Sequence, residues 1–238
     1  MSNGDSNSSN NNNNNNNPVV DLDQFLNLQP DPDPNAAEPG SRGILPEMDR
    51  VTVVGIFVDD SGSMDGLGHA VLDGLALAVS AFKGAKGSDF YLDVRGFRGE
   101  LFSGPLKNVQ GDSFKDYAPE YNCTPLVTHT KDHLRKLHEQ AKQYQMVGIP
   151  TTVALLIITD GLPNEESCSA RDFAEVVGPG DYVVGMGITK RGESGVASYK
   201  ELFREMKITK TVTPTADAAE VRHAINQFSQ SVASIATA

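Results

Sequence analysis

Two runs of apolar, β-branched residues constrain this chain more than anything else in it. Val51-Thr-Val-Val-Gly-Ile-Phe-Val58 and Thr151-Thr-Val-Ala-Leu-Leu-Ile-Ile-Thr159 are almost unbroken, and each stops at an aspartate, Asp59 and Asp160. A strand with one wet face alternates polar and apolar residues. A run without that alternation belongs to a strand covered on both faces, as in a parallel sheet enclosed by helices.

The intervening sequence supplies the helices. Val71, Leu72, Leu75, Ala76, Val79 and Phe82 recur at helical spacing after a glycine-rich turn, and Lys83-Gly84 with Lys86-Gly87 reads as the stop. Residues 90–97 form the next expected strand, and residues 100–103 a short antiparallel edge strand. Leu126, Thr130, Leu134, Leu137, Ala141 and Tyr144 make one face of a long helix, with Lys131, Asp132, Arg135, Lys136 and Glu139 outside. Ser169-Ala-Arg-Asp172 has the capping-box pattern ahead of Phe173, Val176 and Val177. A strand over 181–187, a capped helix over 198–206 and a last short strand over 209–213 follow. Asp217-Ala-Ala-Glu220 then opens a helix carrying Val221, Ala224, Ile225, Phe228, Val232 and Ile235. The expected fold class is α/β, a doubly wound, Rossmann-like, mostly parallel sheet. It has about six strands, one of them a short antiparallel edge strand, and helices on both faces. Ligands of such sheets bind outside the carboxyl ends of the strands, where Asp59 and Asp160 fall.

The domain is expected over residues 49–238, behind an arm over 1–48. That arm holds an asparagine run at 10–17, the sequence Pro30-Asp-Pro-Asp-Pro34 and then Pro39-Gly40. It has too little apolar surface to offset the entropy of ordering it. Within it, Leu22, Phe25 and Leu26 would share one face of a short helix, so the segment is read either as disordered or as a docking peptide. The net charge of −11 is acidic throughout, and nothing resembles the basic stripe of a nucleic-acid binder. The N-terminus lacks the pattern of a secretory signal, and the longest apolar run, 153–158, is too short to span a bilayer. With 2 cysteines, Cys123 and Cys168, there is no disulfide framework. The expectation is a cytoplasmic protein without nucleic-acid or membrane partners.

Three separated segments carry the chemistry. Asp59-Asp60-Ser61-Gly62-Ser63 ends the first strand, Thr124 precedes the long helix, and Thr159-Asp160-Gly161 ends the second apolar run. Every candidate donor is an oxygen, from two carboxylates and three hydroxyls, with no thiolate or imidazole among them. Hard cations such as Mg2+ take that ligand type. Spacing by two lets Asp59, Ser61 and Ser63 point to one side of a tight turn.

In their order and separations these pieces resemble the metal-ion-dependent adhesion site (MIDAS) of von Willebrand factor A-type (vWA) domains, a likeness running over roughly residues 49–235. The resemblance implies that Ser61, Ser63 and Thr124 offer hydroxyl oxygens to Mg2+ or Mn2+, with Asp59 and Asp160 holding it directly or through water. It also implies a non-catalytic module whose cation keeps one position open for a partner's Asp or Glu. In the family that contact can be coupled to movement of the last helix. Stand-alone intracellular members often work beside AAA-family ring ATPases or assembly machinery, so a protein partner is expected.

Rival readings are weaker. Asp59-Asp60 after a first strand is also similar to the acidic pair of Mg-dependent phosphoryl-transfer or phosphatase enzymes, but Asp93 sits inside a strand pattern and Lys190 is poorly placed. Ser61 lacks the Gly-x-Ser-x-Gly elbow of a hydrolase. His129 and His133, four apart on a helix, are read as a solvated flank rather than as zinc ligands. His69, His138 and His223 are read as surface residues. Cys123 and Cys168 are read as small buried thiols rather than a redox pair. Gly185, Gly187 and Gly192 are strand and loop punctuation, not a nucleotide loop.

Overall fold

The computed structural model describes residues 50–165, 167–190 and 195–236. The arm with its Leu22, Phe25 and Leu26, and also Gly192, lies outside the described residues.

The sheet is built as the apolar runs require. Its strands are β1 (Val51–Val58), β2 (Asp89–Gly96), β3 (Gly99–Pro105), β4 (Thr151–Thr159), β5 (Tyr182–Gly187) and β6 (Lys210–Val212), in the spatial order β3-β2-β1-β4-β5-β6. All neighbours are parallel except the edge pair β2–β3. From β1 the chain winds first toward β3, then returns to β4 and winds the other way. The order therefore reverses between β1 and β4, the place where such sheets open a crevice at their carboxyl ends.

Five helices cover the two faces: α1 (Gly68–Gly84), α2 (Leu126–Met146), α3 (Ala170–Ala174), α4 (Gly195–Glu205) and α5 (Ala218–Ala236). Side chains of one strand point alternately to opposite faces, and β1 and β4 divide accordingly. Val54, Ile56, Val58, Ala154, Leu156 and Ile158 pack under α1 and α5. Val51, Val53, Phe57, Val153, Leu155 and Ile157 pack under α2, α3 and α4. This is why neither run alternates in sequence.

The glycines of β5 have a stronger role than punctuation. A Cβ at Gly187 would lie 2.3 Å from Tyr199 Cγ, and one at Gly185 2.6 Å from Phe203 Cδ2. Their absence lets the aromatic rings of α4 lie directly on the strand. Some boundaries differ from expectation. The turn after Ser61 is a 3-10 helix, Gly62–Leu67, which buries Met64 and Leu67. α3 ends at Ala174, before Val176 and Val177, although Ser169 N does donate to Asp172 Oδ2 at 2.6 Å. α4 starts three residues before position 198. The stretch before Cys123 is polar on average yet buries Val109, Phe114 and Tyr117. Among the described residues, no helix is long and apolar enough to cross a membrane.

Candidate metal centre

Four of the five candidate ligands form one hydrogen-bonded chain over the ends of β1 and β4. Asp59 N still donates to Ile158 O at 2.8 Å, so the residue continues the ladder while its side chain turns into the crevice. Its carboxylate is 0% exposed; Oδ1 accepts Ser61 N at 2.8 Å and Oδ2 accepts the Thr159 hydroxyl at 2.6 Å. Ser61 and Ser63 hydroxyls lie 3.1 Å apart, and Ser63 donates to Asp160 Oδ1 at 2.6 Å. The fifth candidate, Thr124, arrives from the segment before α2. Its hydroxyl rests against Gly161, where a Cβ would sit 3.4 Å from Thr124 Oγ1. Four donors are thus linked at the switch point, and Thr124 lies against Gly161, the residue after Asp160.

Neighbouring loops fix the backbone of this corner. Tyr117 donates its hydroxyl to Asp59 O at 2.9 Å, Tyr121 N donates to Asp60 O at 2.9 Å, and Gly62 N donates to Tyr121 O at 3.0 Å. Asn164 and Glu165 tie the Thr124 segment to the loop after β4. Tyr117, Asn164 and Glu165 carry no signal in the sequence, whereas Thr159 is visible there as the first residue of Thr-Asp-Gly.

The electrostatics are unusual. No Lys, Arg or His nitrogen among the described residues lies within salt-bridge distance of Asp59 or Asp160. Burial raises the pKa of Asp59 above its ordinary value; hydrogen bonds from Ser61 and Thr159 oppose the rise, and the charge of Asp160 adds to it. Burial likewise raises the pKa of Tyr117, and Asp59, Asp60 and Asp160 reinforce the effect. A buried carboxylate without a positive partner is costly, and a divalent cation is a suitable partner for oxygen donors of this kind. The donor set therefore fits Mg2+ or Mn2+. Among the described residues there is no cluster of three or more His, Cys, Asp or Glu side chains that could hold a metal.

The acidic pair of the phosphoryl-transfer alternative is split. Asp60 turns away from Asp59 to accept Phe97 N at 2.8 Å and to face Arg98 Nε at 3.5 Å. Asp93 lies mid-strand in β2, where Arg95, Ser103 and His133 surround it. His133 is not a solvated flank. It is 1% exposed, with Nε2 3.0 Å from Asp93 Oδ1 but without a well-aligned hydrogen bond. His129 leans on Phe97, edge to face, at 5.5 Å between ring centres. His69 and His223 are exposed, whereas His138 is half-buried, its Nε2 2.8 Å from Asp181 Oδ2. The thiols differ from each other: Cys123 is exposed, and Cys168 is buried with Lys131 Nζ 3.1 Å from its sulfur.

A scan of protein-family models and a search of curated proteins both give no match to the sequence. Solved structures do resemble the fold. A von Willebrand factor type A protein from Catenulispora acidiphila is 15% identical, with a TM-score of 0.51, over 78% of this chain and 43% of that one. Proximal thread matrix protein 1 from the mussel byssus is 17% identical, with a TM-score of 0.54, over 80% of this chain and 49% of that one. A further structure of the mussel protein, described as having a zinc-occupied MIDAS motif, is 15% identical, with a TM-score of 0.52, over 78% and 48%. The chain spans less than half the length of each of these three. At such identities the likeness establishes the fold alone, which is that of a vWA domain.

Proposed function

We propose that this chain is a divalent-cation-dependent, non-catalytic protein-binding module. In this reading Asp59, Ser61, Ser63, Thr124 and Asp160 hold Mg2+ or Mn2+, and a partner protein supplies an Asp or Glu carboxylate. The observation that carries it is the fully buried Asp59, with no basic side chain among the described residues within salt-bridge distance, hydrogen-bonded into one chain with Ser61, Ser63 and Asp160 at the β1/β4 switch point. When bound, the cation supplies a partly desolvated positive charge that can accept a carboxylate from outside. The protein's own residues do the rest. Thr159 and Ser61 N hold Asp59 in place, Ser63 holds Asp160, and the buried strand ends keep bulk water from one side. The zinc-occupied MIDAS motif named for the mussel protein supports a divalent ion on this fold. The preference for Mg2+ or Mn2+ rests on the hard oxygen donors. The proposed setting is cytoplasmic, with an AAA-family ATPase or assembly machinery as the first partner class to test, and without nucleic acid or membrane.

The test is affinity capture of partners with EDTA or Mg2+, using the unmutated protein, Thr124→Ala and Asp160→Ala. EDTA and both substitutions abolish capture, and Mg2+ restores it only to the unmutated protein. Capture that survives EDTA and Thr124→Ala, with the fold intact by circular dichroism, rules the mechanism out. Turnover of a phosphate ester would instead establish an enzyme.

A further inference from the structure

The loop leaving β4 carries more than Asp160. Thr124 N donates to Asn164 Oδ1 at 2.8 Å, and Asn164 N donates back to Thr124 O at 3.2 Å. One residue further on, Glu165 reaches the first turn of α2. Its Oε1 accepts Val127 N at 2.5 Å, and its Oε2 accepts Thr128 N at 3.1 Å together with the Thr128 hydroxyl. The first turn of a helix has backbone N–H groups with no partner inside the helix. The usual remedy is a Ser, Thr, Asp or Asn at the N-cap, but α2 has Pro125 there, which offers no side-chain acceptor. Glu165 caps the helix from a loop about 40 residues away in sequence.

We infer that Asn164 and Glu165 are positioning residues for Thr124, delivering its hydroxyl to the same corner as Asp160. The inference rests on the reading of Thr124 as a cation ligand. Residues 122–125 belong to neither helix nor strand, so nothing regular in the backbone fixes Thr124. The two-way bond to Asn164 fixes that segment's backbone, and Glu165 anchors the helix that follows immediately. Asn164 stands four residues after Asp160 and Glu165 five, so the loop that bears one ligand also places another. A hydroxyl held in advance loses less freedom on binding.

The test is a double-substitution cycle read by calorimetric titration of Mn2+ into the full-length chain. Asn164→Ala weakens Mn2+ binding by roughly 10- to 100-fold, the range for partners that orient metal ligands. Thr124→Val weakens it too, and adding Asn164→Ala to Thr124→Val produces no further loss, because Asn164 acts through Thr124. A merely structural role would lower the melting midpoint without this coupling. Should Asn164→Ala fail to fold, Glu165→Gln carries the same test. It keeps one acceptor for Val127 N and loses the other, so it weakens Mn2+ binding by about threefold or more alone, with no effect beside Thr124→Val. Unchanged affinity in Asn164→Ala and Glu165→Gln overturns the inference while leaving the proposed centre standing, and so does an equal loss in the Thr124→Val background. An unmutated protein that takes up no Mn2+ overturns the centre and the inference together.

Discussion

Two aspartates on neighbouring strands are buried almost equally and treated in opposite ways. Asp93 in β2 is 4% exposed, and Asp59 at the end of β1 is 0% exposed. Around Asp93 the fold assembles Arg95, at 2.6 Å from Oδ1, the imidazole of His133 at 3.0 Å, and the Ser103 hydroxyl at 2.9 Å from Oδ2. Burial pushes its carboxyl up, but His133 and Arg95 overcome that and hold it at about 2. Asp59 accepts the Ser61 N–H and the Thr159 hydroxyl, and burial raises its pKa despite hydrogen bonds from Ser61 and Thr159. The first region is electrostatically closed. Around the second, no basic side chain among the described residues lies within salt-bridge distance, and the cation of the proposed function would supply the missing positive charge.

Removing each carboxylate breaks the comparison open. Asp93→Ala leaves the buried His133 without its carboxylate neighbour and leaves the partly buried Arg95 with Glu100 alone, and removing one partner of a buried pair costs about 3–5 kcal/mol. Asp59→Asn removes an uncompensated buried charge, so the metal-free protein is left unchanged or stabilised. Chemical denaturation in EDTA measures both. Equal destabilisation by the two substitutions would mean that Asp59 already has its counter-charge and needs no cation.

The same comparison predicts a response to metal at one aspartate only. With Mg2+ or Mn2+ at a hundredfold excess over its dissociation constant, linkage gives about 2.7 kcal/mol of stabilisation. Asp59→Ala abolishes the thermal shift, whereas an Asp93→Asn protein that still folds retains it. A shift that persists in Asp59→Ala sinks the ligand assignment.

Acid acts on the closed region. The Asp93 carboxyl is depressed from 3.8 to about 2, so its contribution is fully present above pH 4 and is lost as the pH falls toward 2. That contribution is on the order of 2 kcal/mol. Thermal melts of the EDTA-treated protein between pH 5 and pH 2 should lose midpoint steeply, and Asp93→Asn should flatten that slope. Parallel curves for the two proteins would place the acid response elsewhere.

Sequence carried the sheet because a buried parallel strand is continuous along the chain. It makes Asp59, Ser61 and Ser63 legible as candidates for the same reason, since they lie within five residues. The contacts it did not carry are made between distant segments. His133 stands on α2 beside exposed charged residues, and nothing near it in sequence marks Asp93 as its neighbour across the α2–β2 interface. Glu165 looks like an ordinary loop acid until the start of α2, which lacks a capping side chain of its own, is seen against it. Lys131 belongs to the charged side of α2 in the sequence pattern, yet its ammonium lies 3.1 Å from the buried Cys168 sulfur, a contact with a distant segment. Cys123 and Cys168 show the same limit, since residue type alone gave both the same burial and the fold exposes one.

The smallest expected effect tests where the boundary between the two regions runs. Asp60 adjoins Asp59 in sequence, is 3% exposed, and accepts Phe97 N at 2.8 Å with Arg98 Nε at 3.5 Å. Arg98 is itself about two-fifths exposed; it also reaches Asp116 O at 3.3 Å and Glu120 at 3.4 Å, and the Glu120 side chain is more open still. Such partly solvated pairs contribute about 0–1 kcal/mol. If the backbone N–H of Phe97 is what holds Asp60, Arg98→Ala lowers stability by about 0.5 kcal/mol and leaves Mn2+ affinity within roughly twofold, about 0.4 kcal/mol. Asp60 then belongs with Asp93 among the carboxylates that the protein satisfies for itself. A rise in Mn2+ affinity of tenfold or more in Arg98→Ala would show Arg98 competing with the cation for Asp60. It would move Asp60 into the open region and make the centre one carboxylate richer than proposed.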